Sequence, residues 1–197
     1  MRVITGTARG HRLRAPGGLE TRPMLDRVKE SLFSVLEGCG PLRGQVLDLF
    51  AGTGSLGIEC LSRGASEADF VERSAHVCRF IRQNLAHTKL RERGRVYCMP
   101  VLRYLHSRVW VGRTYDIIIM DPPYADTQIE HTIETIAELG PGRVGGVLVV
   151  GHSPRVALAD TYGGYERWKF RRLGDSCFSI YERTRSGSVD LENQVVI

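Results

Sequence analysis

Residues 46 to 54 read Val-Leu-Asp-Leu-Phe-Ala-Gly-Thr-Gly, an apolar strand pattern that runs directly into a glycine turn. A glycine turn between a strand and a helix presents backbone N–H groups to a nucleotide, and glycine lets that ligand approach the backbone closely. Asp48 is the one charged residue of the stretch. The stretch therefore predicts the first strand and the first loop of a nucleotide-binding α/β sheet.

Strand and helix patterns alternate around this stretch. The apolar spacing predicts strands at 46–50, 68–72, 95–98, 115–120 and 146–150, and helices near 26–36, 55–63, 75–87, 101–107 and 127–139. Strands that alternate with helices form a parallel sheet covered on both faces. Two further strand patterns, 165–171 and 177–183, are joined by a Gly174-Asp175 turn without a helix. They predict an antiparallel hairpin at the sheet edge.

Length and composition indicate how the chain is organised. It has 197 residues, of which 42% are hydrophobic and 25% are charged, values typical of one globular domain. We expect a small basic β-hairpin extension over residues 1–20 and a main domain over residues 21–183. Residues 184–197 mix polar side chains without periodicity, which predicts a mobile tail.

Several features favour a cytoplasmic protein. No apolar run approaches the roughly 20 residues that span a bilayer, and the first residues have no signal-peptide core. The five cysteines, at positions 39, 60, 78, 98 and 177, contain no Cys-x-x-Cys pair, which argues against a structural zinc site and a disulfide framework. We expect reduced thiols, no bound metal, no membrane partner and a monomer.

Positive charge is concentrated at the start of the chain. The net charge is +5, and residues 2 to 14 contain four arginines and no acid. A solvated basic face is the ordinary interpretation of such a run, but its position outside the alternating pattern favours phosphate binding. The candidate contacts to a nucleic-acid backbone are Arg2, Arg9, Arg12, Arg14 and Arg22.

The glycine turn fits two cofactors. Residues 52–57 satisfy G-x-G-x-x-G, and Glu72 follows 20 positions after the first glycine, as in nicotinamide dinucleotide sites. Asp48 favours S-adenosyl-L-methionine instead, because a carboxylate there would repel a diphosphate and attract an ammonium group. Glu72 can accept hydrogen bonds from both ribose hydroxyls of either cofactor. The candidate cofactor residues are Asp48, Phe50, Ala51, Gly52, Thr53, Gly54 and Glu72.

Both acids also have an ordinary structural interpretation. Asp48 would then cap the helix that follows the glycine turn, and Glu72 would be a surface acid. The two alternatives weaken when the acids are considered together.

A second loop carries the candidate chemistry. Residues 121 to 124 read Asp-Pro-Pro-Tyr and follow the apolar run at 115–120. The Asp121 carboxylate and the Pro122 carbonyl are two acceptors that can hold both N–H bonds of an exocyclic amine and direct its lone pair at a methyl donor. Tyr124 offers a ring on which a flipped base stacks. The alternative is a stiff loop without chemistry, which leaves Asp121 and Tyr124 unexplained.

Asp121 is expected to position the amine first and to act as a base second. An aspartate of ordinary pKa is a weak base before methyl transfer, although it can take the proton that transfer releases.

These motifs together resemble the RsmD family of bacterial 16S ribosomal RNA guanine-N2 methyltransferases, from about Arg2 to Arg183. The matching stretches are Arg9-Gly10, Leu13, Arg22-Pro23, Asp26-Arg27-Val28, Glu30, Leu32-Phe33, residues 47–54, Leu56-Gly57, Glu59 and residues 121–124. The resemblance implies a class I, Rossmann-like methyltransferase domain with a seven-stranded, mostly parallel sheet and a C-terminal antiparallel hairpin.

The resemblance also implies a donor, a target and two further contacts. The donor is S-adenosyl-L-methionine, and the target is a guanine of 16S rRNA in the small ribosomal subunit or an assembly intermediate. Arg27 is a possible partner for the cofactor's carboxylate, with an ordinary surface arginine as the alternative. Pro123 joins the N-terminal arginines as a candidate RNA contact.

Three positions depart from the family pattern. Met24 replaces the usual threonine after Arg-Pro, and Pro100-Val101 stands where the family tends to place an adenine-binding Asn or Asp. Gly151-His152 stands where it usually carries a glutamate, and we expect His152 to be a satisfied structural histidine.

Three alternatives stay open at this point. An Asp-Pro-Pro-Tyr loop also suits N6-methylation of adenine in DNA or RNA. A non-catalytic RNA-binding factor that retains S-adenosylmethionine is the second alternative, and a nicotinamide-dependent dehydrogenase is the third.

Overall fold

The computed structural model describes residues 1–16, 26–38, 40, 42–123 and 126–184. Arg22, Met24 and Tyr124, as well as the expected tail after residue 184, lie outside the described residues.

Each predicted helix and strand of the main domain is present in this structure. The helices are α1 (Asp26–Glu37), α2 (Ser55–Arg63), α3 (Ala75–His87), α4 (Val101–Ser107) and α5 (Ile129–Leu139), with a short 3-10 turn at Arg91–Arg93. The strands are β1 (Gln45–Leu49), β2 (Glu67–Glu72), β3 (Gly94–Cys98), β4 (Tyr115–Met120), β5 (Gly142–His152), β6 (Thr161–Tyr162), β7 (Tyr165–Leu173) and β8 (Ser176–Arg183).

The strands form one mixed sheet in the order β3-β2-β1-β4-β5-β8-β7-β6. Strands β1 to β5 pair in parallel, whereas β8 pairs antiparallel with both β5 and β7. The sheet has eight strands rather than the expected seven, because Thr161–Tyr162 folds back on the start of β7. Two paired residues carry too short a pattern to be read as a strand from sequence.

Helices cover both faces of the sheet, as the alternating pattern predicts. Buried side chains of α1, α2 and α3, including Phe33, Ile58 and Ile81, form one core cluster with one face of the central strands. Buried side chains of α4 and α5, including Tyr104 and Ile133, form a second cluster with the opposite face. The central strands are therefore buried on both sides, which leaves their ends as the place for a ligand.

The N-terminal segment docks on the first of these faces. Arg2 and Arg12 form an antiparallel bridge, and the backbone N–H of Gly10 donates to the Val3 carbonyl at 2.9 Å. Val3 and Leu13 are buried in the same cluster as α1 and α2. The segment thus has no core of its own, whereas the division into an extension, a main domain and a tail stays a prediction.

In the part of the chain that the structure describes, no helix has both the length and the apolar composition needed to cross a membrane. Four of the cysteines, Cys60, Cys78, Cys98 and Cys177, are described, and all four are free thiols.

Candidate functional site

Three carboxylates lie at the carboxyl ends of neighbouring strands. Asp48 is the last but one residue of β1, Glu72 ends β2, and Asp121 directly follows β4. Glu72 and Asp121 each come one residue after the position that pairs with Leu49, on opposite sides of β1. Two strand spacings separate them, about 10 Å. The sheet therefore brings together Asp48 and Asp121, which are 73 positions apart in the sequence, with Glu72 beside them.

The glycine turn begins with a strained residue. Phe50 has φ 57°, a left-handed conformation that an L side chain rarely adopts, and Gly52 and Gly54 follow with φ 54° and 78°. Backbone strain of this kind is concentrated at ligand-binding loops. A Cβ atom added at Gly52 would meet nothing closer than the Phe50 carbonyl at 3.9 Å, so the turn leaves open space there. Ala51 and Thr53, also candidate cofactor residues, are buried within the turn.

Asp48 is buried beneath the turn, with 2% of its surface exposed. Its Oδ2 accepts a hydrogen bond from the backbone N–H of Gly57 at 2.8 Å, in the first turn of α2. The pKa of Asp48 is raised to about 8, mainly because burial disfavours the charged form; the bond from Gly57 opposes this shift, and the nearby charges of Asp121 and Glu72 add to it. Asp48 therefore stabilises the start of α2, as the structural interpretation predicts. It is also a buried carboxyl without a described cation nearby to balance a negative charge.

Glu72 supports the turn from the side of β2. One carboxylate oxygen accepts from the backbone N–H of Gly52 at 3.1 Å, and the other accepts from that of Ser74 at 2.8 Å. Glu72 is half-buried rather than a free surface acid. Each oxygen has a second lone pair that can accept from a ligand hydroxyl. Its proposed contact with a ribose stays a prediction.

Asp121 lies in a drier place than its exposed loop position suggests. The residue is half-buried, and burial raises its pKa to about 6. The expectation of an ordinary pKa is therefore wrong, because the adjacent strand ends exclude water from the carboxylate. Pro122 is buried and Pro123 is exposed.

Gly151 makes room for Asp121. A Cβ atom at Gly151, the residue next to the last in β5, would lie 2.2 Å from Asp121 Oδ1. Real atoms do not approach so closely, so any larger side chain would displace the carboxylate. Sequence reasoning noted this position only as a departure from the family pattern and gave it no role. The contact joins two strands, and only the register of β4 against β5 reveals it.

His152 is a satisfied structural histidine, as expected. It is buried, Nδ1 lies 3.0 Å from the Ser153 carbonyl oxygen, and Nε2 lies 3.0 Å from Ser179 Oγ. The carbonyl fixes the tautomer, since Nδ1–H must donate to it and Nε2 then accepts from the serine hydroxyl. Burial lowers the pKa of His152, which keeps the ring neutral.

The basic N-terminal segment is anchored through its backbone. The Glu59 carboxylate of α2 accepts from the N–H groups of Ile4 and Thr5 at 2.8 and 3.0 Å. Lys29 pairs with Glu59 at 3.1 Å, with both side chains wholly buried, and donates to the Arg2 carbonyl at 2.6 Å. The backbone is thus fixed while the side chains of Arg2, Arg9, Arg12 and Arg14 stay exposed.

Asn84 of α3 connects this segment to the glycine turn. Its Nδ2 donates to the carbonyls of Thr53 and Arg14, each at 3.0 Å, and its Oδ1 accepts from the Arg14 N–H at 2.8 Å. One buried amide therefore joins the two regions that the sequence predicts to bind the cofactor and the RNA. Sequence reasoning missed Asn84, because nothing in a helical pattern distinguishes a buried polar side chain that contacts residues 70 positions away.

Arg27 lies on the exposed surface of α1 and makes no ion pair with another described residue. Its contact with a cofactor carboxylate stays a prediction. Among the residues that the structure describes, no group of three His, Cys, Asp or Glu side chains is arranged to hold a metal ion.

The chain is similar to a protein family and to named relatives over most of its length. A family model described as "Conserved hypothetical protein 95" matches residues 1–182. "Putative rRNA methyltransferase YlbH" of Bacillus subtilis is 35% identical over 185 residues, which are 93% of this chain and 99% of that protein. "Ribosomal RNA small subunit methyltransferase D" of Escherichia coli is 29% identical over 192 residues, which are 98% of this chain and 94% of that protein.

Solved structures agree with the fold. "Putative methyltransferase yhhF" from Escherichia coli superposes with a TM-score of 0.82 at 29% identity, over 94% of this chain and 99% of that one. A structure of SMU.776, complexed with SAH, shares the fold at 17% identity and a TM-score of 0.57, over 70% of this chain and 44% of that one. The sheet order, the full-length family match and these relatives show that this chain has the class I methyltransferase fold and belongs to the RsmD family.

Proposed function

We propose that this chain is an S-adenosylmethionine-dependent methyltransferase that modifies the exocyclic N2 amine of a guanine in 16S rRNA of the small ribosomal subunit. The observation that carries the proposal is the row of three carboxylates at the ends of β1, β2 and β4, beside an Asp-Pro-Pro loop. The two named relatives, one of them a small-subunit rRNA methyltransferase, support the substrate class.

The residues present fit S-adenosylmethionine. A site that combines the carboxylates of Glu72 and Asp121 with Asp48, a buried carboxyl that a nearby cation would ionise, favours a cation over a diphosphate. Gly52 leaves space above the strained turn, and Glu72 keeps lone pairs for ribose hydroxyls. When bound, the cofactor supplies an electrophilic methyl group on sulfur. The same charge pattern disfavours the nicotinamide dinucleotide alternative.

The Asp121 loop supplies acceptors for the target amine. A guanine N2 amine is a poor nucleophile because its lone pair is delocalised into the ring. Asp121 and the Pro122 carbonyl would each accept one of its N–H bonds, which favours a geometry with the lone pair directed at the methyl group. The pKa of Asp121, raised to about 6, makes it a better proton acceptor after transfer than an ordinary aspartate. Tyr124 would stack on the flipped base.

The N-terminal segment would hold the RNA backbone. Its four exposed arginines stand on a backbone that Glu59, Lys29 and Asn84 anchor to α1, α2 and α3. An anchored basic segment binds phosphate with little loss of chain entropy.

The proposal is tested with labelled S-adenosylmethionine and small ribosomal subunits that lack their own methylation at this guanine. After incubation with the purified chain, the RNA is digested and the labelled nucleoside is identified. We expect N2-methylguanosine. N6-methyladenosine would overturn the target, and the absence of any label with RNA still bound would favour a non-catalytic binding factor.

A matched pair of variants assigns the activity to the loop. Asp121→Asn should lower the transfer rate by about a hundredfold or more, because the amide removes both the charge and the proton acceptor. Asp126→Asn changes another acid of the same loop, whose carboxylate accepts from the backbone N–H of Gln128 at 2.7 Å, and should leave the rate unchanged. Equal losses in the two variants would show that the loop is needed only for its structure.

A further inference from the structure

Strand β7 carries an exposed surface that the proposed function does not use. Among the described residues, Trp168 and Phe170 are the only Phe, Tyr or Trp side chains on the exposed surface, at 39% and 48%. Three cations, Lys169, Arg171 and Arg172, lie beside them in the strand. Because side chains alternate between the two faces of a strand, Arg172 shares the face of Phe170, whereas Lys169 and Arg171 lie on the opposite face. We name these five residues, Trp168 to Arg172, the β7 strip.

The strip reaches the same edge of the sheet as the candidate active site. Arg171 pairs with Phe178 of β8, which pairs with Gly151 of β5, and Gly151 touches the Asp121 carboxylate. Three strand spacings separate β7 from β4, about 14 Å. A short single-stranded segment of RNA that entered the Asp121 loop would therefore pass close to the strip.

One ring of the strip, that of Phe170, has a fixed neighbour. Phe170 lies beside the buried His152, with 6.0 Å between ring centroids and an angle of 37° between ring planes. His152 is itself fixed by its contacts with Ser153 and Ser179. A ring that is already ordered in the free protein loses little entropy when a base stacks on it.

Among the described residues, the cations of the strip have no acidic partner. No described carboxylate lies within ion-pairing distance of Lys169, Arg171 or Arg172, and Arg172 Nε donates only to the Gly174 carbonyl at 3.2 Å. Asp175 is the one acid in the adjoining turn. Phosphate groups are the natural partners of such unpaired cations.

A second copy of the chain fits this surface poorly. The short β6 covers only Tyr165 and Glu166, so the outer edge of β7 beyond them has no described partner strand. Two β7 strands pairing edge to edge would bring like charges together, and the bulge between Arg167 and Lys169 twists the edge away from such pairing. Protein interfaces also tend to exclude lysine from their cores, whereas rings interleaved with cations are typical of single-stranded nucleic-acid sites.

We propose that the β7 strip is a second RNA-binding surface along the outer edge of β7. It stacks unpaired bases on Trp168 and Phe170 and holds their phosphates with Arg172 on the face of Phe170 and with Lys169 and Arg171 on the other side of the edge. The inference rests on the proposed function, because it assigns a further contact to the same RNA substrate.

The ring variants test stacking. The double variant Trp168→Ala with Phe170→Ala should weaken the binding of single-stranded RNA by about tenfold or more and raise the KM for the small subunit, with cofactor affinity unchanged. Phe170→Tyr keeps a ring and should bind as the wild type does. Phe170→Leu keeps an apolar side chain without a ring and should bind less tightly than Phe170→Tyr.

The charge variants test phosphate contact. Arg171→Gln with Arg172→Gln should reduce the slope of log affinity against log salt concentration by up to about 1.4, which corresponds to two lost contacts to a single strand. The matched control, Arg91→Gln with Arg108→Gln, removes the same charge outside the strip, just before β3 and just after α4, and should leave that slope closer to the wild-type value. Equal slopes in both pairs would overturn the proposal.

Two further outcomes separate this proposal from the proposed function. Wild-type protein that binds RNA through the strip but transfers no methyl group would contradict the proposed function and leave the strip assigned. If the wild type methylates the subunit and the ring variants keep the wild-type KM and RNA affinity, the assignment of the β7 strip to RNA is overturned and the proposed function stands. Sedimentation that showed a dimer in the wild type and a monomer in the ring variants would assign the strip to a second copy instead.

Discussion

Two buried aspartates on neighbouring strands of the same sheet, one register position apart, have very different surroundings. Asp69, on β2, is 1% exposed and accepts from Arg113 at 2.9 Å and from the Tyr115 hydroxyl at 2.6 Å, with Arg95 at 3.5 Å. Asp48, on β1, is 2% exposed and accepts from one backbone N–H, with two further carboxylates nearby. Asp69 is surrounded by cations and hydroxyls, and Asp48 by acids.

The difference separates a structural acid from a functional one. A buried carboxylate with enough partners stabilises the fold by orienting them, as Asp69 does for the hydroxyls of Tyr115 and Tyr104. A buried carboxylate with too few partners costs folding free energy unless a ligand supplies the missing positive charge. We therefore place the cofactor at the carboxyl edge of the sheet and assign no ligand to the Asp69 network.

Removal of the structural acid should have the largest effect on stability. Asp69→Ala leaves the hydroxyl pair and Arg113 without their acceptor, so we expect a loss of about 3 kcal/mol in the free energy of unfolding. Urea denaturation measures this loss of stability. Asp69→Asn keeps an acceptor oxygen, so as the control it should lose less stability than Asp69→Ala. Cofactor affinity of the folded Asp69→Ala protein should match that of the wild type, and a weakened affinity would break the comparison.

Glu72, which ends the same strand three residues after Asp69, should behave differently. Glu72→Ala removes the acceptor of the Gly52 and Ser74 N–H groups together with the ribose contact, so cofactor binding should weaken by about 2 kcal/mol. Calorimetry measures the affinity. Glu67→Ala is the matched control on the same strand, because Glu67 pairs with Arg95 at the surface. Equal affinities in the two variants would remove Glu72 from the site.

Gly151 offers a smaller change at the same edge. Gly151→Ala should displace the Asp121 carboxylate and lower the methyl transfer rate by about tenfold, because a misplaced acceptor no longer aligns the amine. Thermal unfolding and cofactor affinity should change far less than the rate. An unchanged rate would mean that Asp121 adjusts to the added methyl group without losing its function.

The pH dependence of stability sharpens the comparison further. The pKa of Asp48 is raised to about 8 in the folded chain, against about 3.9 in an unfolded one, so the folded state binds more protons between these values. Its stability contribution therefore falls as pH rises through this window. Asp48→Asn lacks this loss, and its stability relative to the wild type should increase from pH 5.5 to pH 8.5 in urea titrations. A constant difference would show that Asp48 is not desolvated.

Most of the fold could be predicted from the sequence, because strand and helix patterns are local. The glycine turn after β1 and the Asp-Pro-Pro loop after β4 lie where the alternation predicts, at the carboxyl edge of a parallel sheet. The two-residue strand β6 could not be predicted, since so short a pairing has no period. The start of α5 at Ile129 rather than 127 reflects the usual uncertainty of helix ends.

The residues of the candidate site could be predicted from the sequence, but the contacts between them could not. Asp48 was identified from the motif, but its bond to Gly57 and its raised pKa depend on packing that no local pattern contains. Gly151 and Asn84 act on residues far away in the chain, so their roles follow only from strand register and helix placement. The positions of Arg22 and Tyr124 stay predictions.

Proton release on cofactor binding tests the central claim most directly. At pH 7 most Asp48 carboxyls are protonated, and a ligand that brings an ammonium group beside one would ionise it. Calorimetry in buffers of different ionisation enthalpy should therefore detect proton release when S-adenosylmethionine binds to the wild type. Fewer protons should be released when 5′-methylthioadenosine binds, because it lacks the ammonium group. Fewer should also be released when S-adenosylmethionine binds to Asp48→Asn. Proton release that is absent in the wild type, or equal in the wild type and Asp48→Asn, would contradict the assignment of Asp48 to the cofactor.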